Sequence, residues 1–149
     1  MLFLSSRART DLERWASQGY PHETCGVLVG ENLDDAVRVE RAVRGRNLAV
    51  ERARERYELD PGDFVAADLA ARAAGRSIVG IWHSHPDHPA EPSETDRAAA
   101  WKGWSFLILA VGAAGVGAVR SWRLVRERFE EEELVVESGV AALQGHSAP

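Results

Sequence analysis

The hydrophobic positions of this chain fall in short runs that are bounded by glycine, proline or charged residues. Such runs are typical of buried strands, and alternation of apolar with charged residues is typical of half-exposed strands. The pattern predicts buried strands at Cys25–Gly30, Ser77–Trp82 and Phe106–Gly112, a half-exposed strand at Ala36–Gly45, a strand at Gly117–Val125 and a short strand at Arg56–Asp60.

Other segments carry apolar residues at helical spacing or begin with helix-starting residues. Leu12 and Trp15 lie three positions apart after a capping Thr10 or Asp11. We predict helices at Asp11–Gln18, Pro61–Gly75 and Ser93–Gly103. The alternation of strands and helices predicts an α/β fold, a single domain over residues 1–149 with a mixed β-sheet flanked by helices. Phe129–Ser138 fits an edge strand or a helix, and residues 138–149 fit a loosely ordered tail.

Length, charge and cysteine content exclude several classes of protein. The 149 residues suffice for one domain, and a net charge of −5 argues against a partner that is a nucleic acid. Cys25 is the one cysteine, so no intrachain disulfide forms and a reducing compartment is favoured. The apolar stretch at the N-terminus is too short for a secretion signal, and no run is long enough to cross a membrane. We therefore expect a cytoplasmic protein without a membrane partner.

Polar chemistry is concentrated in the stretch GIWHSHPDHPAEPSETD, Gly80 to Asp96. His83 and His85 follow an apolar strand, and residues two apart on a strand point to the same face. Two imidazoles on one face can bind a zinc ion, which in catalytic sites takes three protein ligands and leaves a fourth position open. The third ligand could come from Asp87, His88, Glu91, Glu94 or Asp96. Spacing favours Asp96, in the first turn of a helix that Ser93 begins.

Each of these residues also has a structural interpretation. A pair of histidines in the pattern H-x-H is by itself a weak signal for metal. Ser93 and Asp96 fit a capping box, in which Asp96 would reach back to the helix start instead of to a metal. Glu23, just before the strand that begins at Cys25, is either a solvated loop carboxylate or a general base. Cys25 is expected to be a small buried hydrophobe.

Taken together, these residues resemble the JAMM (MPN-plus) metallopeptidase family. The family pattern has an upstream glutamate, then H-[ST]-H-P, a serine after seven further residues and an aspartate after two more. Glu23, the run from His83 to Pro86, Ser93 and Asp96 match every position. The resemblance extends from about Tyr20 to Val125 and includes PHETCG, Asn47 and LDPGDF.

The resemblance implies roles for individual residues. His83, His85 and Asp96 would bind one zinc ion per chain, and Glu23 would act as general acid and base on the water that zinc activates. Ser93 would donate a hydrogen bond to the developing oxyanion. Ser84 would either support the site or fill the opposite face of the strand. His22 and His88 border the motif and either touch substrate or are solvated loop residues. Trp82 is expected in the core, and Trp101 and Trp104 either lie in the core, which we favour, or line a peptide groove. His146 lies in the tail and receives no role.

The resemblance also implies a substrate. A short chain without long insertions resembles the standalone bacterial members, which act on ubiquitin-fold sulfur-carrier proteins that end in Gly-Gly. We expect hydrolysis of a peptide or isopeptide bond after that tail, in the context of cysteine or sulfur-metabolite biosynthesis. The tail could be held by strand addition along the strand VRVERAVRG or at the loop after Asn47. Alternatives are a metal-free scaffold and a zinc hydrolase of a small amide; a nucleobase deaminase lacks its P-C-x-x-C pattern here. Monomer and dimer are both left open.

Overall fold

The computed structural model describes residues 1–49, 57–93 and 103–138. These ranges form eight strands and two helices: β1 (Leu2–Ser5), α1 (Ser6–Gly19), β2 (Cys25–Asn32), β3 (Val37–Gly45), α2 (Pro61–Ala73), β4 (Ser77–Pro86), β5 (Ser105–Gly112), β6 (Gly115–Val125), β7 (Arg128–Glu132) and β8 (Leu134–Glu137). The helix predicted from Ser93 and the tail predicted from Ser138 lie, apart from their terminal residues, outside the described residues.

All eight strands belong to one sheet with the order β7-β6-β5-β4-β2-β3-β1-β8. The sheet is mixed, as predicted: β1 runs parallel to β3 and β8, β4 runs parallel to β5, and the other neighbours are antiparallel. β7 and β8 lie at opposite ends of this order, although Glu133 alone separates them in sequence. The sheet must therefore curl until its two ends approach each other, and the Leu2 amide donates to the Glu133 carbonyl at 2.7 Å.

The two helices lie on opposite faces of the sheet, because neighbouring strand residues contribute to different cores. One core contains Leu28, Val79, Trp82 and Leu107 together with the buried side of α1. The other contains Val27, Ile78, Ile81 and Phe106 together with Ala67 and Ala71 of α2. This alternation follows from the two-residue period of a strand. It confirms the prediction of an α/β fold with a mixed sheet flanked by helices.

The start of α1 was predicted wrongly. The helix begins at Ser6, and its cap is Ser5, whose hydroxyl accepts a hydrogen bond from the Ala8 amide at 3.0 Å, and not Thr10 or Asp11. The preceding apolar residues form β1, a strand that the sequence did not indicate because it is only four residues long. A serine that ends a strand can cap a helix whose first turn carries little apolar periodicity.

The remaining elements differ from the expectation in smaller ways. α2 begins at Pro61 as predicted, with the Asp60 carboxylate accepting from the Gly62 amide at 2.7 Å. The short strand expected from Arg56 is reduced, within the described residues, to an isolated bridge between Leu59 and Asn47. The ambiguous segment Phe129–Ser138 is resolved as strand, divided between β7 and β8.

Candidate active site

The end of β4 carries two histidines on the α2 side of the sheet. β4 continues to Pro86, so His83 and His85 alternate with Trp82 and Ser84, and Trp82 belongs to the core on the α1 side. His83 is 1% exposed and His85 is 9% exposed. Their ring centres lie 4.8 Å apart. The expectation that both imidazoles share one face therefore agrees with the strand geometry.

Hydrogen bonds to β4 hold the segment that precedes β2. The Ser84 amide donates to the Thr24 carbonyl at 2.9 Å, and the Ser84 hydroxyl accepts from the Thr24 amide at 2.8 Å. The Asn47 amide group donates to the Glu23 carbonyl at 3.1 Å. These contacts fix the backbone that follows Glu23, so Ser84 supports the site from the opposite face of β4.

Glu23 is thereby brought beside the histidines. Cys25 pairs directly with His83 across β2 and β4, and the Glu23 Oε1 atom lies 3.5 Å from His83 Nδ1. The Glu23 side chain is buried. Glu23 is therefore not a solvated loop carboxylate, and it lies close to the histidine pair.

The side chains of Glu23, His83 and His85 could meet one small ion. One ligand atom from each lies within 4.8 Å of the other two. His85 Nδ1 lies 2.9 Å from the Pro89 carbonyl oxygen. Because a carbonyl only accepts, this contact places the proton on Nδ1 and leaves the Nε2 lone pair for a metal. Two imidazoles and a carboxylate are a donor set that suits zinc.

The other candidates for a third ligand are engaged elsewhere or lie outside the described residues. Both Asp87 carboxylate oxygens accept from the Tyr20 hydroxyl at 2.9 Å, Glu91 pairs with Arg120 at 3.2 Å, and His88 is exposed. Glu94 and Asp96 lie outside the described ranges, and Ser93 is an exposed residue at the end of one. Within the described residues, the structure therefore brings Glu23, His83 and His85 together.

The structure adds residues that the sequence did not single out. The Tyr57 ring stacks on the His83 ring, with centres 4.4 Å apart and an angle of 25°. The Pro89 carbonyl, which contacts His85, also has no signature in the sequence. No spacing rule links these residues to the motif, because the contacts arise from the tertiary fold.

Cys25 behaves as the small buried residue that was expected. Burial, followed by the nearby Glu23 carboxylate, raises the pKa of its thiol to about 12, although Arg44 acts in the opposite direction. The thiol is therefore protonated at neutral pH. Trp104 packs against Phe64 beside the α2 core, as expected, while Trp101 and His146 lie outside the described residues and His22 is exposed.

This chain is similar to known proteins in both sequence and fold. The family model described as prokaryotic homologs of the JAB domain matches residues 5–125. The chain belongs to this family. JAB membership confirms the resemblance drawn from the motif around His83. Among the described residues, the JAB chain has no helix with the length and apolar character needed to cross a membrane.

Two relatives and one solved structure each cover more than four fifths of this JAB chain. The chain is 36% identical to a desampylase of Haloferax volcanii, over 91% of this chain and 96% of that protein. It is 32% identical to a CysO-cysteine peptidase of Mycobacterium tuberculosis, over 81% of each. A solution structure from Desulfitobacterium hafniense has a TM-score of 0.81 at 29% identity and covers 93% of this chain and 94% of that chain. The names of the two relatives support a hydrolase activity for this JAB chain.

Proposed function

We propose that this chain is a zinc-dependent metallopeptidase that hydrolyses the bond after the Gly-Gly tail of a ubiquitin-like, sulfur-carrier-type protein. The observation that carries the proposal is the convergence of Glu23, His83 and His85 at a strand end. The similarity to a desampylase and to a CysO-cysteine peptidase supports a peptide or isopeptide bond as the target.

In this proposal, His83, His85 and Asp96 hold the zinc ion. The nearly buried imidazoles and the Nδ1 contact of His85 with Pro89 fit that role, because a fixed tautomer presents one nitrogen to the metal. Zinc, when bound, supplies Lewis-acid polarisation of the scissile carbonyl and lowers the pKa of water.

Glu23 acts as the general base and then as the general acid. Its carboxylate accepts a proton from the attacking water as the water oxygen bonds to the scissile carbonyl carbon, and it delivers that proton to the departing amine nitrogen. Its buried position beside His83 supports this role, because a carboxylate in a dry site exchanges protons with the reacting groups instead of bulk water. Ser93 donates its hydroxyl proton in a hydrogen bond to the carbonyl oxygen as negative charge develops there.

The second half of β3 is the proposed place for the extended tail. β1 pairs with β3 only at residues 37–39, and no other described strand pairs with the outer side of residues 41–45. Gly45 lies across β2 from His83, because Cys25 pairs with both. A Gly-Gly tail added along this edge would be held by backbone hydrogen bonds, and its missing side chains would let it approach the site closely.

The test uses a ubiquitin-fold protein that ends in Gly-Gly and carries a short C-terminal extension. We expect cleavage after the second glycine, about one zinc per chain by mass spectrometry, loss of cleavage with a chelator and recovery on adding zinc. The same substrate ending in Ala-Ala is the control and should stay intact.

Glu23→Gln separates catalysis from metal binding. We expect this variant to keep its zinc and to lose activity by about 10²- to 10⁴-fold, the contribution typical of a positioned general base. A parent protein that stays free of zinc after zinc is supplied would sink the proposal. Full activity of Glu23→Gln would contradict the role of Glu23.

A further inference from the structure

The short loop after the second histidine, residues 87–91, is attached to the rest of the molecule at nearly every position. The Asp87 amide donates to the Val111 carbonyl of β5 at 2.8 Å, and the His88 amide donates to the His85 carbonyl at 3.4 Å. Ala90 is 1% exposed although it lies in a loop. We call residues 87–91 the anchored loop. Such extensive attachment is unusual for a surface connection.

The anchored loop contacts a proposed zinc ligand directly. The Pro89 carbonyl oxygen lies 2.9 Å from His85 Nδ1, so it sets both the tautomer and the orientation of the His85 ring. Any movement of the Pro89 peptide would turn the ring or leave the Nδ1–H group without this acceptor. The position of this one carbonyl therefore matters for metal binding.

Two side chains of β6 hold the next two residues of the anchored loop. The Trp122 indole N–H donates to the Ala90 carbonyl at 3.0 Å. Arg120 contacts the Glu91 carboxylate at 3.2 Å, stacks over the Trp122 ring at 4.6 Å and bonds both oxygens of Glu131 on β7. The Glu131 contacts fix the position of the Arg120 guanidinium, which therefore packs on the Trp122 ring in a defined orientation. The Ala90 carbonyl belongs to the peptide next to that of Pro89, which links Trp122 to His85.

Tyr20 holds the other end of the anchored loop. Its hydroxyl contacts both carboxylate oxygens of Asp87 at 2.9 Å. Asp87 has a φ of 60°, in the left-handed region that non-glycine residues rarely adopt. Tyr20 comes three residues before Glu23, so this contact also joins the loop to the segment that carries the proposed base.

We propose that Trp122 and Tyr20 are positioning residues that clamp the anchored loop and so orient His85 before a metal arrives. The inference rests on the proposed function in so far as His85 is taken as a zinc ligand. Neither residue belongs to the proposed catalytic or metal-binding set. Each acts through a loop carbonyl or carboxylate, Trp122 from β6 and Tyr20 from the end of α1.

Two conservative aromatic substitutions test the clamp. Trp122→Phe removes the indole N–H and keeps an aromatic ring, and Tyr20→Phe removes only the hydroxyl. The readout is cobalt(II) affinity, measured by competition with a chromophoric chelator and by the absorption of the bound ion. We expect each variant to bind cobalt about tenfold more weakly, as is typical when a group that supports a metal ligand is lost.

The control is Trp15→Phe, the same substitution in the core on the α1 side, where Trp15 stacks on Trp82. This variant should keep the parental cobalt affinity. The double variant Trp122→Phe, Tyr20→Phe should lose less than the product of the two single losses, because both residues act through one loop. Fully multiplicative losses would indicate two independent effects and overturn the shared clamp.

Two further outcomes decide the remaining cases. Unchanged cobalt affinity in Trp122→Phe and Tyr20→Phe, or an equal loss in Trp15→Phe, overturns the clamp while leaving the proposed peptidase intact. A parent that binds cobalt but cleaves no Gly-Gly-extended substrate overturns the proposed function alone, since the clamp is measured without substrate. Amide exchange at Asp87 in the metal-free protein should be faster in both clamp variants than in Trp15→Phe.

Discussion

The two faces of β4 differ in what their side chains do, although they alternate residue by residue. On the α1 side, Trp82 stacks on Trp15 with ring centres 5.8 Å apart and donates to the Val43 carbonyl at 3.1 Å. On the α2 side, His83 and His85 place two largely buried polar rings. Burial of polar groups is costly unless they are bonded. We infer that the α1 face supplies the stability that lets the α2 face carry the site.

Gly26 shows how closely the two faces are coupled. A Cβ atom at this position would lie 1.9 Å from the Val43 carbonyl oxygen and 2.5 Å from Trp82 Nε1. Only glycine leaves room for the indole to reach across β2 to β3. The adjacent residue, Cys25, pairs with His83, so the anchoring of Trp82 and the placement of His83 occur at neighbouring positions of β2.

The largest effect should come from His83→Ala. We expect zinc affinity to fall by more than about 100-fold, beyond the loss typical when a group that merely supports a ligand is removed. Cleavage should be abolished with it. Zinc titration and activity assays measure both. If His83→Ala keeps stoichiometric zinc, the assignment of metal binding to the α2 face is wrong.

Trp82→Ala, at the adjacent position, should lower stability and leave zinc binding intact. Loss of a fully buried indole should lower the free energy of unfolding by about 3–5 kcal/mol, as measured by urea denaturation with chelator present. The molecules that remain folded should still bind zinc. If Trp82→Ala has the stability of the parent protein, packing on the α1 face is not what stabilises the sheet.

Ser84→Ala should have a smaller effect. The substitution lies on the α1 side of β4, but it should also affect the site on the α2 side. The Thr24 amide would lose its acceptor in a buried place, which costs about 1–3 kcal/mol of stability. Because Thr24 follows Glu23, we also expect kcat to fall while zinc content stays unchanged. Ser121→Ala, which removes another buried hydroxyl bonded to Glu132, is the matched control and should alter stability without altering kcat.

The smallest effect concerns Cys25. Its raised pKa and complete burial keep it as an unreactive thiol, since the thiolate is the nucleophile. Iodoacetamide at pH 8 should leave the folded protein unmodified and active, and should label Cys25 after denaturation in guanidinium. Mass spectrometry distinguishes the two. Rapid labelling of the folded chain would mean that the strand entrance beside Glu23 opens.

Sequence periodicity was sufficient for the buried strands and for α2, because their apolar residues and caps are local features. It failed for β1, whose four residues are too few to show a period and are stabilised by pairing with β3 and β8. It also left Phe129–Ser138 undecided, since the choice between helix and strand depends on which partners the sheet offers. Tertiary pairing overrides local preference in both cases.

The candidate site likewise combines residues that the sequence predicts with contacts that only the tertiary fold creates. His83 and His85 follow from strand alternation, and the motif selects Glu23 among many carboxylates. The Ser84 contact with Thr24 and the Trp122 contact with Ala90 depend on strands far apart in sequence, so no local pattern announces them. Ser93 and Asp96 remain predictions from the motif and its spacing.

The pairing of β1 with β8 has a consequence for synthesis on the ribosome. β1 leaves the ribosome well before β8, which covers its outer edge and ends only at Glu137. During translation that edge has no partner from β8, and unpaired strand edges promote association between nascent chains. A nascent chain stalled before Leu134 would therefore have a complete set of motif residues but an open edge, and we expect it to need chaperone protection until β8 is released.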